Sequence, residues 1–249
     1  MDEKTERVFF EIHKNLPRQG PGSYASTKRA FDCIRNLPRN PKILDIGCGP
    51  GKQTLDLLSL TNGSITGLDY YQVFLHGLEE KAAQRGLKER IHTLRGDMSN
   101  LPFAPASFDL IWSEGAIYIM GFANGLAKWK KFVKPGGYVA VSEVTWLKKN
   151  PPQELAKYWE GEYVMRDIKT NLRMIRETGY KILGHFALPS QDWWEDYYTI
   201  IQKRLSFFRQ KYKNDDIALQ VVDAEEKEMS MHLKYADYYG YVFYIMQRE

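Results

Sequence analysis

Cysteine is scarce: only Cys33 and Cys48 occur among 249 residues. They form no C-x-x-C pair and no Cys/His ligand spacing, so neither a disulfide framework nor a zinc site is expected, and no metal is assigned. Long apolar runs are also missing, and none approaches the ~18 residues of a membrane span. Met1-Asp2-Glu3-Lys4 is charged and no apolar segment follows it, so no secretory leader is expected. Excess charge is absent too. A net charge of +4 is too small to point to nucleic acid. The short clusters Lys128-Trp129-Lys130-Lys131 and Lys148-Lys149 read as solvated faces. There is no internal repeat and no low-complexity stretch. These absences suggest a cytoplasmic protein, monomeric or homodimeric.

What is present is an ordinary apolar fraction of 43% and a high aromatic content of 14%, much of it in the C-terminal half. The length suits one large α/β domain, or a domain with a cap. Residues 3–15 can form an amphipathic helix through Val8, Phe9 and Ile12. Residues 17–23 carry two prolines and two glycines and must be a loop. A helix from about Ser26 to Leu37 follows. Strands and helices then alternate: strands at 42–47, 64–69, 91–95, 108–113 and 138–143, with helical patterns between them. Pro151-Pro152 opens a helical region to about Thr178. A sixth strand is expected from Tyr180 to Leu188, then an aromatic helix through Trp194, Tyr198 and Ile201, a helix over 215–236, and a last strand from Tyr238 to Met246.

The most informative run is Lys42-Ile43-Leu44-Asp45-Ile46-Gly47-Cys48-Gly49-Pro50-Gly51. A buried strand leads into three alternate glycines and then a helix, an arrangement that brings backbone close to a nucleotide-like ligand. The spacing is G-x-G-x-G. A dinucleotide fingerprint would need its third glycine at position 52, where Lys52 stands. Asp69 closes the second strand, where a carboxylate can accept both hydroxyl hydrogens of a ribose; an acid there also serves NAD proteins. Gly96-Asp97-Met98 follows the third strand and Ser113-Glu114-Gly115 the fourth.

Together with Lys134-Pro135-Gly136-Gly137 and Phe108-Asp109-Leu110-Ile111, these motifs resemble the class I S-adenosylmethionine (SAM) methyltransferases, closely over residues 40–145. The nearest branch is the small-molecule type resembling the ubiquinone/menaquinone-biosynthesis enzymes (methyltransferase type 11). The resemblance implies a Rossmann-like, doubly wound seven-stranded α/β sheet of order 3-2-1-4-5-7-6. Strand seven would be antiparallel, helices would precede the sheet, and a helical insertion would separate strands six and seven. Periodicity alone supports only the parallel part. The whole chain would be one domain: a helical lid at 1–40, a SAM-binding core at 41–147, and elements of the acceptor pocket at 148–249.

By resemblance, SAM would be held by Asp45, Gly47, Cys48, Gly49 and Gly51, with Asp45 facing the ammonium end. Asp69 would take the ribose, with Tyr70 beside the adenine. Asp97, with Gly96 and the backbone of Met98, would meet the adenine edge, and Ser113 and Glu114 the methionine end. The loop Gln19-Gly20-Pro21-Gly22-Ser23 would fold over the cofactor as a lid, bringing Ser23 or Tyr24 close. No acid–base dyad is conspicuous. Glu114, Tyr118, Glu143 and His185 are the candidates for a catalytic role, and Glu114 equally suits a plain loop acid. Tyr24, Trp193, Trp194 and Tyr197 are candidates for the acceptor wall, although aromatics at helical spacing also suit a core. The Asn/Asp-Pro-Pro-aromatic motif of DNA amino-methyltransferases and the Pro-Cys nucleophile of cytosine-C5 enzymes are absent. The expected reaction is methyl transfer from SAM to a small-molecule acceptor, leaving S-adenosyl-L-homocysteine. A SAM-binding protein without transferase activity, an RNA methyltransferase and an NAD-linked oxidoreductase are the rivals.

Overall fold

The computed structural model describes residues 2–161 and 163–249. Two helices come first, α1 (Glu3–Ile12) and α2 (Tyr24–Asp32). Asp2 caps α1 by accepting from the Lys4 and Thr5 amides, and Ser23 caps α2 by accepting from that of Ser26. The alternating part is β1 (Lys42–Ile46), α3 (Lys52–Leu60), β2 (Ser64–Asp69), α4 (Gln72–Gln84), β3 (Ile91–Arg95), β4 (Phe108–Glu114), α5 (Phe122–Trp129) and β5 (Val133–Trp146). Then come α6 (Gln153–Trp159), β6 (Arg166–Asp167), α7 (Ile168–Glu177) and β7 (Tyr180–Ala187). A helical stretch follows: α8 (Gln191–Trp193), a π-helical turn (Trp194–Tyr198) and α9 (Thr199–Lys211). α10 (Asp216–Tyr235) and β8 (Tyr239–Arg248) complete the chain.

The strands form one sheet in the order β3-β2-β1-β4-β5-β8-β7, with β6 paired to β5 off that path. β8 runs antiparallel to both β5 and β7. This is the order expected from the resemblance, with β7 and β8 as the expected strands six and seven. The added strand exists because β5 is long. It extends to Trp146, and Thr145 and Trp146 pair with Arg166 and Asp167. The helix expected over 151–178 is accordingly two helices. Asp167 ends the break by accepting from the Thr170 amide as the cap of α7. The Lys134–Gly137 turn lies inside the start of β5. Gly136 there has φ +73°, the pairing with β4 shifts register, and Lys134 Nζ meets Asp109 at 2.7 Å.

Three apolar cores result among the described residues. One face of the sheet packs on α2, α3 and α4 through Ala30, Leu55, Leu57, Leu75 and Leu78. The other packs on α5 and α7 through Phe122, Leu126, Trp129 and Ile175. The third joins the first and last helices of the chain: Val8 and Ile12 of α1 with Leu205, Val222 and Met229 of α9 and α10. This cap also takes Trp193, Tyr197 and Tyr198. Among the described residues no helix is long and apolar enough to cross a membrane.

Candidate functional site

A cavity of ≈ 640 Å³ opens where the parallel strands end, bounded by the glycine turn, the ends of β2, β3 and β4, and the loop before α2. Ligands of open α/β sheets bind at these carboxyl ends, where strand order reverses. Gly47, Gly49 and Gly51 take φ of +73°, +52° and +84°. At Gly47 a side chain is excluded twice, because a Cβ would also lie 2.5 Å from that of Ala116. The turn is tied to β2 by the Gly47 and Cys48 amides, which donate to Leu68 O at 2.8 and 3.0 Å.

Asp69 organises the next wall. One carboxylate oxygen accepts from the Gly49 amide at 2.8 Å and the other from the Tyr71 amide at 3.0 Å. Burial nonetheless pushes its carboxyl above the usual range. Beside it Phe10 meets Tyr71 with ring centroids 4.6 Å apart, and Phe74 and Phe9 extend this aromatic rim. On the third wall Asp97 accepts from the amide and hydroxyl of Ser99, which lower its pKa. The Met98 carbonyl accepts from the Trp129 indole at 3.0 Å.

Glu114 ends β4 and holds the N-terminal loop. It accepts from Arg18 at 2.6 Å, Thr27 at 2.8 Å and the Trp112 indole at 2.9 Å. Arg18 also reaches Asp56 at 3.2 Å and is 3% exposed. The other end of the loop is fixed by the Gly22 amide, which donates to Asp192 O at 3.0 Å, and by Ser26, which donates to the Asp192 carboxylate. Between these anchors Gln19, Gly20 and Pro21 form cavity wall.

Of the residues singled out for the cofactor, Gly47, Cys48, Gly49, Asp69, Tyr70, Gly96, Asp97, Met98 and Glu114 line this one cavity. Four do not. Asp45 lies fully buried behind the turn, where Thr54 donates to it at 2.6 Å and its second oxygen has no partner. Burial first, and then the charge of Glu114, push its carboxyl up to about 7. Gly51 packs against Leu78 instead. The Ser113 hydroxyl donates to Ile46 O inside the sheet, and Ser23 serves α2 as its cap.

Of the catalytic candidates, Tyr118 lines the cavity with Glu114. Glu143 is buried near the end of β5, where it accepts from the Tyr163 hydroxyl. His185 is exposed on β7 and away from the cavity. Among the acceptor-wall candidates, Tyr24 is an exposed residue of α2, and Trp193, Trp194 and Tyr197 belong to the cap core. Trp193 stacks on His232 at 4.1 Å. Sequence reading missed Arg18, Phe9, Phe10 and Tyr71, whereas Gln19, Gly20 and Pro21 belong to the loop expected as a lid and do line the cavity.

The sequence comparisons are consistent with this geometry. Residues 43–137 match a family model described as a methyltransferase domain. A sterol 24-C-methyltransferase of Gibberella zeae is 28% identical over 162 residues, 61% of this chain and 42% of that protein. A demethylmenaquinone methyltransferase of Bacillus velezensis is 30% identical over 151 residues, 58% of this chain and 64% of that one. The match thus spans less than two thirds of these relatives' length. Among solved structures, a SAM-dependent methyltransferase from Geobacter sulfurreducens in complex with S-adenosyl-L-homocysteine superposes with a TM-score of 0.83. It has 19% identity and the match covers 98% of both chains, which shows the Rossmann-like fold.

Proposed function

We propose that this chain, whose residues 43–137 match the methyltransferase-domain family, is a class I SAM-dependent methyltransferase acting on a small molecule. The observation that carries this reading is the single cavity bounded by the glycine turn, Asp69 and Gly96-Asp97-Met98. The residues fit the cofactor on three counts. A turn with no Cβ at positions 47 and 49 gives a ligand access to backbone. The Asp69 carboxylate keeps lone pairs for ribose hydroxyls beyond the two amides it serves. The carboxylates of Asp69 and Asp97 line the site, with Asp45 behind the turn, and give it an anionic character suited to an ammonium–sulfonium ligand, the charge of Glu114 being met by Arg18.

When bound, the cofactor supplies an electrophilic methyl group. The protein holds, orients and excludes water. Asp69 fixes the ribose, Asp97 and the Met98 backbone read the adenine edge, and the turn cradles the methionine end. Arg18 and Glu114 keep the loop closed over the site as a lid. Alignment and dehydration supply much of the acceleration, so no strong acid–base dyad is needed. The three donors on Glu114 argue that it positions the lid rather than moving a proton. The chain works as one domain, with lid, core and cap at 1–40, 41–147 and 148–249, in the cytoplasm.

Calorimetric titration with SAM, S-adenosylhomocysteine and NAD tests the cofactor. The two sulfur nucleosides should bind and NAD should not; tight NAD binding with no response to either would overturn the reading. Labelled SAM incubated with small-molecule extracts should then yield labelled product. Labelling confined to RNA would favour an RNA methyltransferase instead.

A further inference from the structure

Behind the cavity wall one side chain touches two wall residues from different segments. It is His13, just past the end of α1, 1% exposed and itself outside the lining. Its ring stacks on that of Phe9 with centroids 3.9 Å apart, and Phe9 lines the cavity. Its Nδ1 stands 3.3 Å from Gln19 Oε1, and Gln19 lines the cavity from the loop before α2. Gln19 Nε2 donates to the His13 carbonyl, also at 3.3 Å, so one residue holds both ends of the Gln19 amide. The other ring nitrogen, Nε2, lies 2.9 Å from a carboxylate oxygen of Glu225 on α10.

The cap holds His13 in turn. Tyr197 meets its ring edge-on at 5.8 Å. Arg204 donates to the carbonyls of Ile12 and Lys14, on either side of it, at 2.8 and 2.7 Å. Gln19 is thereby tied to the cap as well as to its own loop. Its stem reaches over the glycine turn: Cγ lies 3.7 Å from where a Cβ on Gly49 would be. Gly49 gives its amide to Asp69. A glutamine Nε2 has two hydrogens and its Oε1 two lone pairs, and His13 meets one of each. Within the described residues no other group takes the second donor or the second acceptor.

We propose that Gln19 closes on the amino-acid end of the cofactor, and that His13, anchored on Glu225, is the positioning residue that holds it there. The inference rests on the methyltransferase reading above. One N–H and one lone pair match a zwitterion, whose carboxylate accepts and whose ammonium donates. The turn under Gln19 has no side chain at Gly47 or Gly49, so that end of the ligand lies between turn backbone and the Gln19 amide. The neighbouring cation, Arg18, is already engaged by Glu114, Asp56 and Thr27. A neutral amide suits a group that carries both signs. His13 removes rotamer freedom from Gln19 before the ligand arrives, so less is lost on binding. Through Glu225, 212 positions from His13, the meeting of the chain's two ends sets a contact in the cofactor site.

The test uses the whole chain and two ligands. S-adenosylhomocysteine has the amino-acid end; 5′-deoxy-5′-methylthioadenosine keeps the nucleoside and sulfur and lacks it. Calorimetry gives both affinities, by competition for the weaker ligand. Gln19→Ala should weaken S-adenosylhomocysteine roughly tenfold, the loss of one hydrogen bond to a charged group, and leave the truncated nucleoside unchanged. His13→Phe keeps an aromatic ring between Phe9 and Tyr197 but offers Gln19 no side-chain partner. It should reproduce part of that loss, for S-adenosylhomocysteine alone, and add nothing in the Gln19→Ala background, because it acts through Gln19. A residue with only a structural role would weaken both ligands and act alike in either background. Glu225→Gln carries the same cycle should His13→Phe fail to fold. Equal loss for the two ligands or no loss in Gln19→Ala overturns the inference. So does a His13 or Glu225 effect that persists without Gln19, or S-adenosylhomocysteine affinity untouched by either substitution. Failure of S-adenosylhomocysteine to bind the unaltered chain would instead refute the methyltransferase reading.

Discussion

In the glycine-turn region the contacts that build the site are short in sequence. The Gly49 amide reaches Asp69 across 20 positions, and Thr54 reaches Asp45 across 9. In the cap they are long. His13 meets Glu225 across 212 positions, and Arg204 meets the Ile12 carbonyl across 192. One region is therefore specified by a strand, a turn and a helix that follow one another. The other exists only after both ends of the chain have met. On the proposed reading the local region would present backbone to the cofactor, and the assembled region would border the second substrate.

The comparison can be broken hardest at Trp193, which stacks on His232 inside the cap. Trp193→Ala should cost about 3–5 kcal/mol of stability by denaturant titration, the usual range for a buried tryptophan. S-adenosylhomocysteine affinity of the folded fraction should hold, because the residue touches no part of the turn. A loss of affinity with stability intact would return Trp193 to the site.

Arg18 tests the seam between the regions. Arg18→Met leaves Glu114 without its 2.6 Å partner and should cost about 3 kcal/mol, the penalty of an uncompensated buried charge. Loop residues 17–23 should become open to protease as Glu114 lets go. Unchanged protease resistance would mean that the lid is held from Asp192 alone.

Asp69→Ala confines the damage to the turn. Cofactor affinity should fall roughly tenfold to a hundredfold, as expected for removal of charged acceptors of hydrogen bonds, while the cap stays folded. The measurement is calorimetry alongside circular dichroism. Unaltered affinity would remove the ribose role of this residue.

A last test is set by pH, and both regions contribute to it. Asp45 in the turn region, with Glu143 and Glu228 towards the cap, has its carboxyl pushed by burial to about 7. Unfolded carboxyls titrate near pH 4, so between about pH 4 and pH 7 the folded chain binds more protons than the unfolded one. Stability from these groups is fully present below pH ~4, falls as pH rises towards ~7, and is level above it. Asp45→Asn and Glu143→Gln should each flatten that slope in thermal midpoints. A slope unaffected by either would assign it to other groups.

The strand–turn–helix run and its acids were readable because backbone demands leave local marks. A position with φ of +73° and no room for a Cβ must be glycine, and that shows in one residue. Asp109 stood in a motif that carried the resemblance, and the structure pairs it with the Lys134 ammonium at 2.7 Å where the β4–β5 pairing shifts register. The acceptor wall was not readable. Trp193, Trp194 and Tyr197 carried the helical spacing of a wall and of a core alike, and only packing against α1 and α10 makes them core. Arg18 looked like a loop residue, because a buried guanidinium is identified by partners 38 and 96 positions away.

By itself, then, the sequence determined the alternation of strands and helices and the glycine turn, since these follow from periodicity and backbone geometry over a few residues, while the strand order and the roles of the acids came with the family resemblance. Tertiary structure decided which residues close the cavity, which carboxyls are left without a counter-charge, and that the chain's two ends form one cap. Those outcomes depend on burial and on distant partners, and neither is a property of any stretch of sequence taken alone.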